Sequence, residues 1–131
     1  MILLDTDHCI FFVRGQPKVV AAFAAHVADE PAISIITLGE LYFGVLRSAR
    51  KSENLQKVDE FINRVATVEL DRVTMLKFAE IKADLFARGL PLEDPDLLIA
   101  ASALTRGVPL VTHNAAHFAR ISGLSLEDWS A

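Results

Sequence analysis

The sequence predicts an α/β fold, with a central parallel sheet and helices on both of its faces. Three observations carry that reading. Short apolar runs of strand length occur at residues 2–4, 32–36 and 109–112. Longer segments with the apolar stripe of a helix separate them. Strands alternating with helices of this length build a parallel sheet, and right-handed crossovers bring the C-terminal ends of its strands to one edge.

The elements follow in order. Ile2, Leu3 and Leu4 form an uninterrupted apolar run that ends at Asp5, which reads as a buried strand delivering a carboxylate to its end. Residues 17–28 predict a helix with Val19, Val20, Phe23 and Val27 on one face. A second strand is expected at 32–36. Leu38, Leu41, Tyr42, Val45 and Leu46 then repeat at the spacing of an amphipathic helix. Leu55, Val58, Phe61, Ile62 and Val65 do the same within 54–65. Residues 67–70 predict a short strand. Asp71 caps a helix running to about Arg88, where Gly89 suits the turn after its end. Residues 95–105 are apolar nearly all round, so this helix should be central, and Gly107 stops it. A third clear strand follows at 109–112, then a short helix containing His117 and Phe118.

Size and composition narrow the function. The 131 residues fit a single domain spanning 1–131 with a substantial core. No stretch approaches the roughly 18 apolar residues of a membrane span. An acid at position 5 and no basic n-region argue against a signal peptide. Cys9 is the only cysteine, in keeping with a reducing cytoplasm. The net charge of −4 is unlike the basic surface of most nucleic-acid binders. Clustered acids neutralised by a bound ion would account for part of it. Arg47, Arg50 and Lys51 fall close together, as either a solvated helix end or a patch that attracts a polyanion.

Three carboxylates stand beside buried elements: Asp5, Glu40 and Asp96. Each has a local explanation. Asp5 can cap a helix, Glu40 completes a Thr37-x-x-Glu40 capping box, and Asp96 sits in a helix's first turn, where the macrodipole favours a negative charge. Asp94, just before Pro95, reads chiefly as an N-cap, with a supporting place beside the acids as the alternative. Taken jointly, three such acids at one sheet edge point to a hard divalent cation, which prefers carboxylate and water oxygens. Thr6, Thr37 and Thr112 offer hydroxyls to orient such ligands, or ordinary caps.

The segments Leu4-Asp5-Thr6, Ser34-x-x-Thr37-x-x-Glu40-Leu41-x-x-Gly44, Asp96-x-Leu98-Ile99-Ala100-Ala101 and Val111-Thr112-x-Asn114-x-x-x-Phe118 occur in this order. Together they resemble PIN-domain nucleases, especially the VapC-type toxins of bacterial toxin–antitoxin pairs. The resemblance runs from residue 2 to the tail Glu127-Asp128-Trp129. It implies a three-layer PIN-like sandwich and a metal-dependent endoribonuclease in which Asp5, Glu40 and Asp96 hold Mg²⁺, or Mn²⁺ in its place. It also implies an antitoxin whose C-terminal segment covers the active site, a toxin homodimer, a hetero-oligomer of the two proteins, and tRNA or ribosomal RNA as substrate.

Two departures from the family pattern stand out. The place of a frequent fourth acid is taken by neutral Asn114, which offers only a carbonyl oxygen as a ligand and is otherwise suited to positioning water or phosphate. Asp7 stands where Asn or Ser is more usual in the family; it reads as a cap of the first helix, with added charge at the site as the alternative. His113 and His117, four apart, lack a third zinc ligand and read as structural. Cys9 reads as buried, while nothing in the sequence assigns His8. Trp129 and Phe43 read as core or interface ahead of base stacking. Two rivals remain: a haloacid-dehalogenase-type phosphatase, suggested by Asp5-Thr6-Asp7 after a strand, and a PIN scaffold that binds RNA or protein without catalysis.

Overall fold

The computed structural model describes residues 1–131. Its elements are β1 (Ile2–Leu4), α1 (Thr6–Val13), α2 (Pro17–Ala25), a 3₁₀ turn (Val27–Asp29), β2 (Pro31–Ser34), α3 (Ile35–Arg47), α4 (Lys51–Ile62), β3 (Ala66–Val68), α5 (Arg72–Ala87), α6 (Asp94–Arg106), β4 (Leu110–Val111), α7 (Ala115–Phe118) and β5 (Leu126–Glu127). The five strands form one sheet in the order β3-β2-β1-β4-β5, and every pairing is parallel. The order reverses between β2 and β4, with β1 at the centre. In open α/β sheets, a site forms at the carboxyl ends of the strands at such a reversal.

Alternation along the strands builds the three layers. Leu3, Ala32 and Leu110 point to one face, where they pack with Ile81 and Leu85 of α5 and with Leu97, Ile99 and Ala103 of α6. Ile2, Leu4, Ile33 and Val111 point to the other, against Cys9, Val19, Phe23, Leu41, Val45, Val58 and Phe61. Two-residue periodicity thus feeds one apolar core above the sheet and another below it. Helix α6 is the central helix the sequence predicts, with Ile99 through Ala103 buried. Gly107 ends it in the left-handed region at φ 65°, which a side chain would strain.

Several boundaries shift for local reasons. Helix α2 ends at Ala25; the 3₁₀ turn follows, Glu30 adopts φ 54°, and Val27 is exposed. The second strand stops at Ser34 because its Oγ accepts from Ile36 N at 3.1 Å and caps α3, so Ile35 and Ile36 are helical. The third strand covers 66–68 rather than 67–70. Leu46 and Leu55, expected on buried stripes, are exposed. Two-residue β5 has no apolar run to announce it, and pairing with β4 alone defines it.

Candidate active site

Strand β1 ends where its two neighbours supply the walls. Asp5 is buried, and each of its oxygens is used. Oδ1 accepts from Thr6 N at 2.8 Å, so Asp5 does cap α1, and Oδ2 accepts from Thr112 Oγ1 at 2.7 Å beyond β4. The capping and site readings of Asp5 therefore coexist in one side chain. Thr6 Oγ1 donates to Glu40 Oε1 at 2.6 Å and lies 3.0 Å from Thr37 Oγ1, tying α1 to α3. Glu40 is consequently not half of a capping box. Ser34 is the cap of α3, Thr37 lies inside the helix, and Glu40 reaches across to α1 instead of back along its own backbone.

Asp96 comes from the first turn of α6, half-buried. Burial raises its pKa, with Glu40 the next cause and Asp7 a further one, while His117 opposes them. Asp5 is pushed up to about 7, chiefly by burial, then by the charge of Asp7, with Asp96 adding to the effect. Asp5, Asp7, Glu40 and Asp96 thus share one electrostatic neighbourhood. No three acids, histidines or cysteines form a ready-made ion-binding group. Three of the four carboxylates are instead engaged by neutral donors: Thr112 and Thr6 N on Asp5, Thr6 on Glu40, and His113 N on Asp7. The donor set still fits a hard divalent cation, because it is all oxygen and its buried member is short of positive charge.

Other expected residues fall differently. Glu93, not Asp94, occupies the N-cap of α6, and Lys82 Nζ on α5 takes the Asp94 carboxylate at 2.8 Å. That ion pair draws Asp94 away from a capping role. Asn114 is exposed, makes no side-chain cap bond to α7, and donates its backbone N–H to Thr112 Oγ1 at 3.0 Å. Arg47 lies over the Phe43 ring at 5.4 Å, in a groove shared with Glu40, Thr6 and Ser48. Arg50 instead faces Glu53 at 3.7 Å, and Lys51 is exposed at the start of α4. Trp129 is buried and stacks on His26, which removes it as a base platform, while Phe43 remains exposed. Burial pushes the Cys9 thiol well up, so it is inert at neutral pH.

Asp7 is the main revision. It does not cap α1, since Asp5 does; its Oδ1 lies 3.0 Å from His8 Nδ1 and its Oδ2 accepts from His113 N at 2.9 Å. The sequence signal was the second acid two residues after Asp5, and nothing in a linear reading shows that it turns toward the loop after β4. His113 pairs with Asp128 at 3.1 Å rather than with His117.

Comparison with known proteins now bears on this arrangement. The family model described as PIN domain matches residues 2–124. A tRNA(fMet)-specific endonuclease VapC from Salmonella typhimurium is 35% identical over 127 residues, covering 97% of this chain and 96% of the relative. The chain belongs to the VapC ribonucleases of the PIN-domain family. Ribonuclease VapC2 of Rickettsia felis is 33% identical over 129 residues, covering 97% of this chain and 96% of its own. Among solved structures, Rickettsia felis VapBC2 bound to a promoter DNA fragment superposes with a TM-score of 0.93 at 32% identity. The match covers 98% of this chain and 99% of that one. DNA-bound VapBC of Salmonella typhimurium gives 0.92 at 35% identity, over 98% and 99% of the two chains. VapC membership decides against the phosphatase reading, and the five-stranded parallel sheet is the VapC fold.

Proposed function

We propose that this one-domain chain is the toxin of a type II toxin–antitoxin pair, a cytoplasmic endoribonuclease that hydrolyses RNA phosphodiesters, with tRNA as the substrate and ribosomal RNA as the alternative target. The observation that carries the reading is the buried Asp5 at the end of β1, in one field with Asp7, Asp96 and Glu40. Burying a carboxylate among other carboxylates is unfavourable unless a cation is meant to join them. The tRNA assignment draws on the Salmonella typhimurium relative, whose name specifies that substrate.

Asp5, Glu40 and Asp96 would hold Mg²⁺, for which Mn²⁺ can substitute. When bound, such an ion supplies positive charge against the phosphoryl oxygens and makes water a stronger acid. The chain's own groups do the positioning. Thr112 and Thr6 fix the two oxygens of Asp5, and Thr6 also fixes Glu40. Arg47, beside Glu40 in the groove, attracts the RNA backbone, and Arg50 and Lys51 extend that attraction at the helix junction. Asn114, exposed at the mouth of the loop after β4, orients water or phosphate.

The antitoxin reading rests on two supports. Structural relatives are VapBC complexes. An apolar groove lined by Ile10, Val13, Leu41, Val45 and Val58 opens with Glu40 at its rim, suited to a partner segment that covers the acids. A homodimer accords with the exposed apolar side chains of α5, where Leu76 and Phe86 face solvent. The test is expression in a bacterium followed by mapping of new RNA 5′ ends. Discrete cuts that vanish with Asp5→Asn support the reading, and an unchanged RNA population refutes it.

A further inference from the structure

Beyond the acids, a closed hydrogen-bonded chain links the C-terminal tail to the start of α1. His8 is fully buried, an uncommon place for an imidazole, and both of its nitrogens are used. Nε2 accepts the backbone N–H of Trp129 at 3.1 Å. An acceptor at Nε2 places the proton on Nδ1, which donates to Asp7 Oδ1 at 3.0 Å. Asp7 Oδ2 then accepts from His113 N at 2.9 Å, in the loop after β4. The same loop carries Thr112, whose hydroxyl donates to Asp5 Oδ2 at 2.7 Å and accepts from Asn114 N at 3.0 Å. The tail itself is secured twice more: Trp129 stacks on His26 at 4.7 Å, and Asp128 reaches His113 Nδ1 at 3.1 Å.

We propose that Asp7 and His8, locked by the tail residues 128–130, form a clamp that positions the loop after β4, and through Thr112 the Asp5 carboxylate, for the reaction. This deepens the nuclease reading above and rests on it. Asp7 and His8 are positioning residues in this scheme, acting through Thr112 and His113.

The direction of every bond makes the clamp specific to a carboxylate at position 7. Trp129 N–H can only donate, which calls for an acceptor at His8 Nε2 and leaves Nδ1–H to donate, although Asp128 Oδ1 also lies 3.3 Å from Nε2. His113 N–H can also only donate. The group at position 7 therefore meets two donors on two different oxygens, which a carboxylate satisfies and an amide does not. Asp7→Asn would set an NH₂ against one of them. Turning the imidazole to the other tautomer would aim Nε2–H at Asp128 Oδ1, 3.3 Å away, and leave Trp129 N–H without its acceptor. An Asn or Ser at position 7 would thus not complete this particular chain of bonds.

The test uses the full chain and three variants, Asp7→Asn, His8→Phe and Asp128→Ala, each checked for folding by thermal melting. Two properties are measured: RNA cleavage with kcat and KM separated, and Mn²⁺ affinity by calorimetry. Trp129 is the only tryptophan, so its fluorescence reports directly on the seating of the tail. Loss of a partner that orients a ligand typically lowers metal affinity or activity by about 10–100-fold. The clamp predicts a fall of that size in kcat and in Mn²⁺ affinity for Asp7→Asn and His8→Phe, with KM nearly unchanged and Trp129 emission shifted to the red. Asp128→Ala, which removes the His113 contact and the carboxylate 3.3 Å from His8 Nε2 but keeps the Trp129 N–H bond, should show the same pattern at smaller size. A folded His8→Phe or Asp7→Asn protein with a loosened tail but parental kcat and Mn²⁺ affinity would make the network purely structural and overturn the proposal. Should His8→Phe fail to fold, Asp7→Asn and Asp128→Ala decide the matter alone. If the parent chain cuts no RNA, the nuclease reading fails separately, and the clamp stands or falls on Mn²⁺ affinity.

Discussion

Neutralising Asp5 should stabilise the metal-free protein while destroying its activity. The carboxyl is raised from an ordinary 3.8 to about 7, by burial first and by Asp7 second. In an unfolded chain it titrates near 3.8, so between these two values the folded state binds the extra proton. The contribution of this carboxyl to stability is therefore greatest below about pH 4, declines as pH rises toward 7, and stays low above that. The full effect is on the order of 4 kcal/mol, at about 1.4 kcal/mol for each tenfold change in proton affinity. Asp5→Asn removes the charge but keeps only one acceptor oxygen, so either Thr6 N or Thr112 Oγ1 loses its partner, which costs about 1–3 kcal/mol. The expected net gain at pH 8 in chelator is about 1–3 kcal/mol, or roughly 4–12 °C in Tm for a domain of this size. Melting both proteins in EDTA from pH 4 to 8 provides the assay. The variant's advantage should shrink as pH falls and vanish or reverse near pH 4. Millimolar Mn²⁺ should raise the parental Tm and leave the variant's unchanged. A pH-independent difference, or a less stable variant at pH 8, would refute the reasoning about the buried charge.

Four further outcomes are expected. Asp96→Asn should abolish cleavage in a folded protein, checked by an RNA cleavage assay beside a melting curve; full activity would remove Asp96 from the scheme. Thr112→Val deletes the donor to Asp5 Oδ2, so the Asp5 pKa measured by carbon NMR should move further up, and an unshifted or lowered value would show that Thr112 does not hold it. Arg47→Ala combined with Arg50→Ala should weaken RNA binding and flatten its salt dependence, with most of the effect from Arg47, because Arg50 is shared with Glu53. Truncating Trp129 to Ala removes a buried ring stacked on His26 and should lower stability by about 3–5 kcal/mol in chemical denaturation.

Much of this fold was legible because its periodicities are clean. Ile2 to Leu4 form a clean buried run, and 95–105 could only be a central helix, so the parallel sheet followed, while the strand order with its reversal at β1 did not. Asp5 and Asp96 stood out because one ends a buried strand and the other lies in the first turn of a buried helix, and Glu40 because it follows the second strand. What stayed hidden was the partner of each side chain. Thr37-x-x-Glu40 has the spacing of a capping box, yet Ser34 is a nearer cap and Thr6, 34 residues away, captures Glu40. Asp94 has the ideal place before Pro95, yet Lys82 on a neighbouring helix takes it. Asp7 and His8 gain meaning only when β5 brings the tail alongside β4, and β5 is too short to leave a pattern. Local rules read elements well; contacts between distant residues override them at the site, where the chain departs from its simplest local choices.

Diffraction from crystals soaked in Mn²⁺, recorded at the manganese absorption edge, offers the most direct trial of the proposed centre. One anomalous peak within bonding reach of Asp5, Asp96 and Glu40 is the predicted result, and it should disappear in Asp5→Asn. A peak elsewhere, or none at concentrations where the chain cuts RNA, would mean that these three carboxylates do not share a metal centre.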